Sequence, residues 1–345
     1  MISVCIPSYN RAALLSPLLD SILSQSFGNY EIVVAEDKSP ERDEIRAVVE
    51  RYLRSWPDRV RYHENASNLG YDANLRRLIE LSRGEYCFFM GNDDLMCPEA
   101  LAKVSAAVKK HKDVGVVLRS YAAFDGTPDN IVQTFRYFDE ELFFPAGTQS
   151  IATIYRRSVV IPGMVIHREA ALRRATDRFD GTLLYQLYLV ADILIDMNAV
   201  YLPDITVLYR TGGVPDFGNS LVEKGKFSPK QQTPESSLHF IAGMLAIAKH
   251  VESSRSVAIY QHVLRDMGNY SYPMLAIQAG QPLKVFLRYA TALAQLGLGR
   301  QPMFYAYLAA ILLIGTRRVD ACISWIKRRL GRTPMLGKVY RGKCG

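Results

Sequence analysis

Ile2-Ser3-Val4-Cys5-Ile6-Pro7-Ser8-Tyr9-Asn10-Arg11 begins as an uncharged apolar run and ends in a polar turn. Short apolar runs bounded by turn residues read as strands buried on both faces. The pattern returns at Glu31-Ile32-Val33-Val34-Ala35 and at residues 60–64, 86–90 and 114–118. Between these runs the apolar residues fall three and four apart. Residues 16–25 carry Leu18, Leu19, Ile22 and Leu23, and residues 39–54 carry Ile45, Val48, Val49 and Tyr52. Residues 72–83 and 98–111 also have the helical period, and Ser16-Pro17 suits an N-cap followed by a first helical position. Strands separated by helices of this length predict an α/β fold with a mostly parallel sheet covered on both faces. Such sheets bind ligands at the carboxyl ends of their strands.

Beyond Ser120 the period loosens into an aromatic-rich stretch with Phe124, Phe135, Tyr137, Phe138, Phe143 and Phe144. Residues 163–167 and 199–209 read as further strands around a helical stretch at 182–194. Residues 211–236 are rich in Gly, Pro, Ser and Asn and predict a long flexible loop or domain boundary. From Leu238 to the end the pattern is helical. The chain has 345 residues and a net charge of +8, which by itself would suit a polyanionic partner. Residues 316–345, however, hold nine basic side chains and one acid, so the other 315 residues sum to zero and nucleic acid is excluded as a partner. Five cysteines, with no C-x-x-C spacing, exclude a disulfide scaffold or zinc module and predict a reducing, cytoplasmic setting. The start reads as a strand and predicts no secretory leader. The apolar residues 301–316 would reach about 24 Å as a helix, short of a ~30 Å hydrocarbon core.

Three polar clusters follow the first, second and fourth strands: Pro7-Ser8-Tyr9-Asn10-Arg11, Glu36-Asp37 and Gly91-Asn92-Asp93-Asp94. In a parallel sheet all three face one crevice. Adjacent acids after a buried strand are costly unless a cation joins them, and hard carboxylates without His or Cys suit Mg²⁺ or Mn²⁺. The alternative is that Asp93-Asp94 caps the helix beginning near Pro98.

Taken together these segments resemble the family 2 glycosyltransferases. Ile6-Pro7-Ser8-Tyr9-Asn10-Arg11, Ser21-Ile22-Leu23-Ser24-Gln25-Ser26, the 31–39 run, Asn68-Leu69-Gly70, Gly84-Glu85-Tyr86 and Asp93-Asp94 follow in the family's order. The likeness is close over residues 1–120 and looser to about 210. It implies a GT-A fold, a Rossmann-like sheet that binds a nucleotide-sugar and a divalent metal. By this resemblance Pro7, Ser8, Tyr9, Asn10 and Arg11 belong to the donor site, and Asp37 accepts from the base. Glu36 stands where Asp is commoner. Asn68, Gly70 and Asn74 pack on the nucleotide, and Arg76 neutralises phosphate. Asp93 contacts ribose or metal, and Asp94 holds the metal. A narrower likeness, around Asn68–Asn74, is to O-antigen sugar transferases.

The resemblance also implies a Glu-Asp pair near residue 185 that supplies the base of an inverting reaction, but Tyr185-Gln186 stands there. Asp180 and Asp192 are the candidate bases, with Asp177 nearby and N-capping the alternative for Asp180. His167, at a strand end, is a candidate metal contact. Residues 316–330 place Val319, Cys322, Ile323, Ile326 and Leu330 at helical spacing among Arg318, Lys327, Arg328 and Arg329. This predicts a basic helix lying on an anionic membrane surface, with residues 302–314 either dipping into the interface or packing on the catalytic domain, the alternative being a helix docked on the core. The expected organisation is a donor-binding catalytic domain at 1–210, a loop at 211–236, and a helical region at 237–345 with a membrane-associating tail. The expected activity is transfer from a nucleotide-sugar to a hydroxyl of a glycan or polyprenyl-linked saccharide in bacterial surface-polysaccharide synthesis, at the inner face of the cytoplasmic membrane. A sugar-1-phosphate nucleotidyltransferase would need a Gly-rich loop after the first strand, and a dehydrogenase a G-x-G-x-x-G; neither is present. A basic membrane adaptor without activity leaves the paired acids unexplained.

Overall fold

The computed structural model describes residues 1–213, 215–336 and 343–344. Its first half alternates strand and helix: β1 (Ile2–Ser8), α1 (Ala12–Leu23), β2 (Tyr30–Glu36), α2 (Arg42–Ser55), β3 (Val60–Glu64), α3 (Tyr71–Leu81), β4 (Tyr86–Phe89), β5 (Leu95–Met96) and α4 (Ala100–Lys110). A long strand, β6 (Val114–Phe124), is followed by β7 (Ile131–Phe135), β8 (Leu142–Phe144), α5 (Thr148–Ile154), β9 (Val165–His167), α6 (Arg168–Leu172), α7 (Tyr185–Asp196) and β10 (Asn198–Arg210). Helices then dominate: α8 (Pro234–Arg255), α9 (Tyr260–Asn269), α10 (Tyr272–Ala276), α11 (Leu283–Gln295), α12 (Pro302–Ile314) and α13 (Thr316–Leu330). A two-residue strand, β11 (Lys343–Cys344), is the last described element.

The sheet order is β11-β8-β10-β6-β9-β4-β1-β2-β3, with β5 on β10 and β7 on β6. β4, β1, β2 and β3 run parallel, as the alternation of strands and helices predicts. β9 runs antiparallel between β4 and β6, so the sheet is mixed beyond β4. Alternate residues of β1 feed two cores. Val4 and Ile6 join Leu15, Leu18 and Leu19 of α1 and Leu101 of α4 on one face. Cys5 joins Leu75 and Leu78 of α3 on the other, in a core that runs on through α7 to Met267, Leu293, Phe304 and Val319. Cys5, Cys87, Cys97 and Cys322 are free thiols.

Several local expectations are corrected. Helix α1 starts at Ala12, whose N–H is taken by the Glu41 carboxylate at 2.9 Å, so Pro17 lies in the second turn and not at the first position. The aromatic stretch is ordered: β6 runs on to Phe124 and pairs with β7, and Tyr121 stacks on Phe135 at 4.4 Å. The exposed face of β7 left no alternation to read. The helical pattern stops at Leu330, and residues 343–344 add a strand to β8. Lys338 and Arg341 of the basic tail lie outside the described residues.

Candidate active site

The carboxyl ends of β1, β2 and β4 open into a cavity of about 340 Å³, within the range of small-ligand sites. Left-handed backbone at Asn10, Arg11 and Lys38 turns the chain sharply off the ends of β1 and β2. Pro7, Ser8 and Tyr9 line the cavity, and the Ser8 hydroxyl is buried without a partner. Asp37 ties two loops together: it accepts from Asn65 Nδ2 at 2.8 Å and from the Leu69 and Gly70 N–H groups at 2.9 Å. Burial raises its pKa against those donors. Gly70 has φ +86°, and a Cβ there would stand 2.6 Å from Ser220 Oγ, so the 68–74 turn needs glycine. Asn74 links this turn to the sheet by donating to the Ala35 carbonyl at 3.1 Å.

Asp93 and Asp94 sit at the centre. Arg11 pairs with Asp93 at 2.6 Å. Asp94 Oδ1 accepts from the Arg210 N–H at 2.9 Å, whereas Oδ2 is buried and unpartnered. Burial, reinforced by the Asp93 charge, pushes the Asp94 carboxyl up to about 8. Gly91 leaves the room that Asp94 occupies, since any Cβ there would collide with Oδ2. The capping alternative is excluded: β5 intervenes, and Glu99 at the start of α4 makes no side-chain cap. An orphaned, buried carboxylate oxygen beside a second carboxylate fits a hard divalent cation. Among the described residues no group of three His, Cys, Asp or Glu side chains could hold one, so substrate oxygens would complete its shell.

Apart from Gln186, the opposite wall comes from residues that do not stand out in the sequence. Val159, Ile161, Pro162, Leu183 and Phe240 make it apolar, with Gln186 as its amide. Gln186 is 2% exposed; Nε2 donates to the Val159 carbonyl at 2.7 Å, which fixes the amide and leaves Oε1 unpartnered. Arg119, buried on β6, holds this wall by donating to the Val160 and Pro162 carbonyls. Asp72 of α3 accepts from the Thr182, Leu183 and Tyr185 N–H groups and so anchors the start of α7. Described residues of the 211–236 segment, among them Pro215, Asp216, Phe217 and Glu223, line the crevice as a strap. Phe217 packs edge-on against Tyr71 at 5.6 Å, and buried Glu223 accepts from the Tyr71 N–H at 2.8 Å and the Gly218 N–H at 2.9 Å. Asp216, also lining the cavity, accepts from Asn10 Nδ2 at 3.3 Å.

Six sequence candidates fall outside the cavity lining. Asn10 instead holds the strap. Glu36 is fully buried, and its longer side chain folds back on the Lys38 and Ser39 N–H groups and Arg42. Arg76 and Asp180 are consumed by each other in a bidentate pair at 2.8 Å, which corrects both the phosphate and the base assignments. Asp180 does not cap α7 either, because Asp72 does. Asp192 lies between Arg174 at 2.6 Å and Arg255 at 2.8 Å, where no acceptor can approach it as a base. His167 pairs across the sheet with Tyr86, at the start of β4, and its Nδ1 accepts from the Ala170 N–H at 3.2 Å. Because β9 runs antiparallel, its end lies at the sheet edge opposite Asp94, and His167 is no metal contact.

The family model described as Glycosyl transferase family 2 matches residues 3–174. The abequosyltransferase RfbV of Salmonella typhimurium is 30% identical over 114 residues, 33% of this chain and 34% of that protein. A PGL/p-HBAD biosynthesis glycosyltransferase of Mycobacterium bovis is 32% identical over 118 residues, 34% of this chain and 45% of that protein. The alignments thus span less than half of either relative. Among solved structures, S. aureus TarS 1-349 in complex with UDP superposes with a TM-score of 0.60 at 15% identity, over 100% of this chain and 96% of that one. GalNAc-T7 with UDP, GalNAc and Mn²⁺ gives 0.54 at 12% identity, over 82% of this chain and 58% of that one. At these identities the superpositions show a shared GT-A fold.

Proposed function

Because the chain carries a glycosyl transferase family 2 domain at residues 3–174, we propose that it transfers a sugar from a nucleoside-diphosphate donor to a hydroxyl of a glycan or polyprenyl-linked saccharide. The setting is the assembly of a bacterial surface polysaccharide, in line with the relatives' names. The observation that carries this reading is the convergence of Pro7-Ser8-Tyr9, Asp37 and Asp93-Asp94 on one crevice, with a buried Asp94 oxygen left unpartnered.

In this reading the nucleobase lies along Pro7, Ser8 and Tyr9, with Asp37 offering its remaining lone pairs to the base. The 68–74 turn closes over the nucleotide. Asp93 and Asp94 hold Mg²⁺ or Mn²⁺; when bound, the cation neutralises the charge on the departing diphosphate. Mn²⁺ accompanies UDP in GalNAc-T7, which shares this fold. Arg11 and Arg210 hold the two carboxylates in place. Across the crevice Gln186 Oε1 accepts a hydrogen bond from the attacking hydroxyl and orients it. Gln186 cannot take the proton. Of the acids lining the cavity, Asp37 and Glu223 are held by N–H groups, and Asp93 and Asp94 belong to the cation site. Asp216 is therefore assigned to receive the proton as the hydroxyl displaces the nucleoside diphosphate with inversion.

The test is turnover of a panel of nucleotide-sugars with Mn²⁺ and chelator. Release of a nucleoside diphosphate from one donor, lost with chelator and in Asp94→Asn, is expected. Metal-independent turnover, or full turnover by Asp94→Asn, overturns the reading. Asp216→Asn should lower kcat by roughly 10²-fold or more at little change in donor KM, the usual worth of a general base.

A further inference from the structure

Helix α12 has no polar face. Pro302-Met-Phe-Tyr-Ala-Tyr-Leu-Ala-Ala-Ile-Leu-Leu-Ile314 contains no charge and nothing more polar than tyrosine. One side is spent on the protein: Phe304 and Ile311 are buried, with Tyr307 and Leu308 beside them. The opposite side, Tyr305, Leu312 and Leu313, faces solvent, and Leu313 is 82% exposed. A helix apolar all round is ordinarily enclosed by protein or lipid. Its thirteen residues reach only about 20 Å, and among the described residues no helix is long and apolar enough to cross a membrane.

The charges next to this surface indicate what covers it. Gly315, at φ +79°, turns the chain into α13, which presents Arg317, Arg318, Arg328 and Arg329 to solvent. Among the described residues none of the four has a carboxylate partner. The acid of this helix, Asp320, accepts from the Tyr272 hydroxyl at 2.6 Å. Trp325, 54% exposed, lies beneath the Arg329 guanidinium at 5.2 Å. A second copy of the chain on this face would set these arginines against their own counterparts, whereas anionic headgroups complement them.

We propose that the corner between α12 and α13 seats in the interfacial layer of an anionic bilayer. Leu312, Leu313 and Ile314 enter the acyl boundary, Trp325 sits at headgroup depth, and the four arginines meet lipid phosphates. This extends the membrane contact expected from the sequence from α13 to the end of α12. Of the α13 stripe that reads as lipid-facing, Val319 is buried and Ile323 packs on the core, whereas Cys322 and Leu330 stay exposed. The proposal does not depend on the sugar-transfer reading.

The full chain is sedimented with vesicles of phosphatidylcholine alone and with vesicles containing about 30% phosphatidylglycerol. Sedimentation with the anionic vesicles only, reversed by salt, is expected. Leu313→Glu and, separately, Arg317→Glu with Arg318→Glu should each weaken partition roughly tenfold or more. Their Tm and their turnover of a donor with a soluble acceptor should be unchanged, because these side chains are exposed and remote from the crevice. Equal sedimentation with neutral vesicles, no sedimentation at all, or partition of Leu313→Glu equal to the parent would overturn the proposal. So would a lipid-free dimer that Leu313→Glu converts to monomer, which would identify a second copy as the occupant.

Discussion

At the scale of single residues the site rests on one small and two acidic side chains. Gly91 exists for Asp94: a methyl at position 91 displaces the Asp94 carboxylate, so Gly91→Ala should lower kcat/KM roughly 10²-fold, the size expected of a 1 Å misplacement. Steady-state turnover measures this, and an unimpaired Gly91→Ala would remove Asp94 from the centre. Asp72 makes a prediction about pH. Burial raises its carboxyl to about 6 despite the backbone donors that pull it down, while an unfolded Asp titrates near ~3.9. Between these values the folded state binds the proton more tightly, so stability falls as pH rises through the window, by at most roughly 3 kcal/mol. Urea unfolding at about pH 5 and about pH 7 should show this slope in the parent and a flatter one in Asp72→Asn. A parallel slope in both would contradict it. Asp93 and Asp94 are legible in the sequence because paired acids after an apolar run stand out by themselves. Asp72, Arg119 and Glu223 are not, because each acts on a partner that local periodicity cannot bring near: Asp72 meets Tyr185, and Glu223 meets Tyr71.

At the scale of elements, the turns after β1, β2 and β4 carry the donor side of the proposed site, and the strap with the start of α7 carries the proposed acceptor side. Glu223 pins the strap, so Glu223→Ala leaves the buried Gly218 N–H and the half-buried Tyr71 N–H unpartnered, a local cost of about 1–3 kcal/mol for a buried one. Faster proteolytic cleavage within 211–236 and a raised donor KM are expected, with global Tm little changed; an unchanged digestion pattern would show that the strap is held otherwise. Asp180→Asn and Asp192→Asn should lower Tm while kcat stays within a few-fold of the parent, because both carboxylates bridge elements through arginines. A loss of kcat near 10³-fold in either, at unchanged Tm, would restore it as a base. The parallel strands and their helices could be read from apolar period alone, since buried strands and amphipathic helices differ in repeat. β7, β8 and β11 could not: β7 is exposed and β8 and β11 are short, and their pairing is decided by the strands they join.

At the scale of the whole molecule, one core joins the catalytic sheet to the C-terminal helices: the cluster that begins at Cys5 ends at Val319. The helices therefore fix the orientation of the exposed α12–α13 corner relative to the crevice. The net charge of +8 is informative only at this scale: it belongs to residues 316–345, of which Arg317, Arg318, Arg328 and Arg329 flank the exposed apolar surface, and the other 315 residues sum to zero. The whole account depends on the crevice binding a nucleoside diphosphate through a cation held by Asp94. The most direct test is thermal denaturation of the full chain with UDP, GDP, dTDP and CDP, each with and without Mn²⁺. The account predicts that at least one diphosphate raises Tm in a metal-dependent way. It also predicts that Asp94→Asn loses this shift while its ligand-free Tm is unchanged or higher, because the variant no longer buries a costly carboxylate. A panel with no metal-dependent shift, or the full shift in Asp94→Asn, would contradict it.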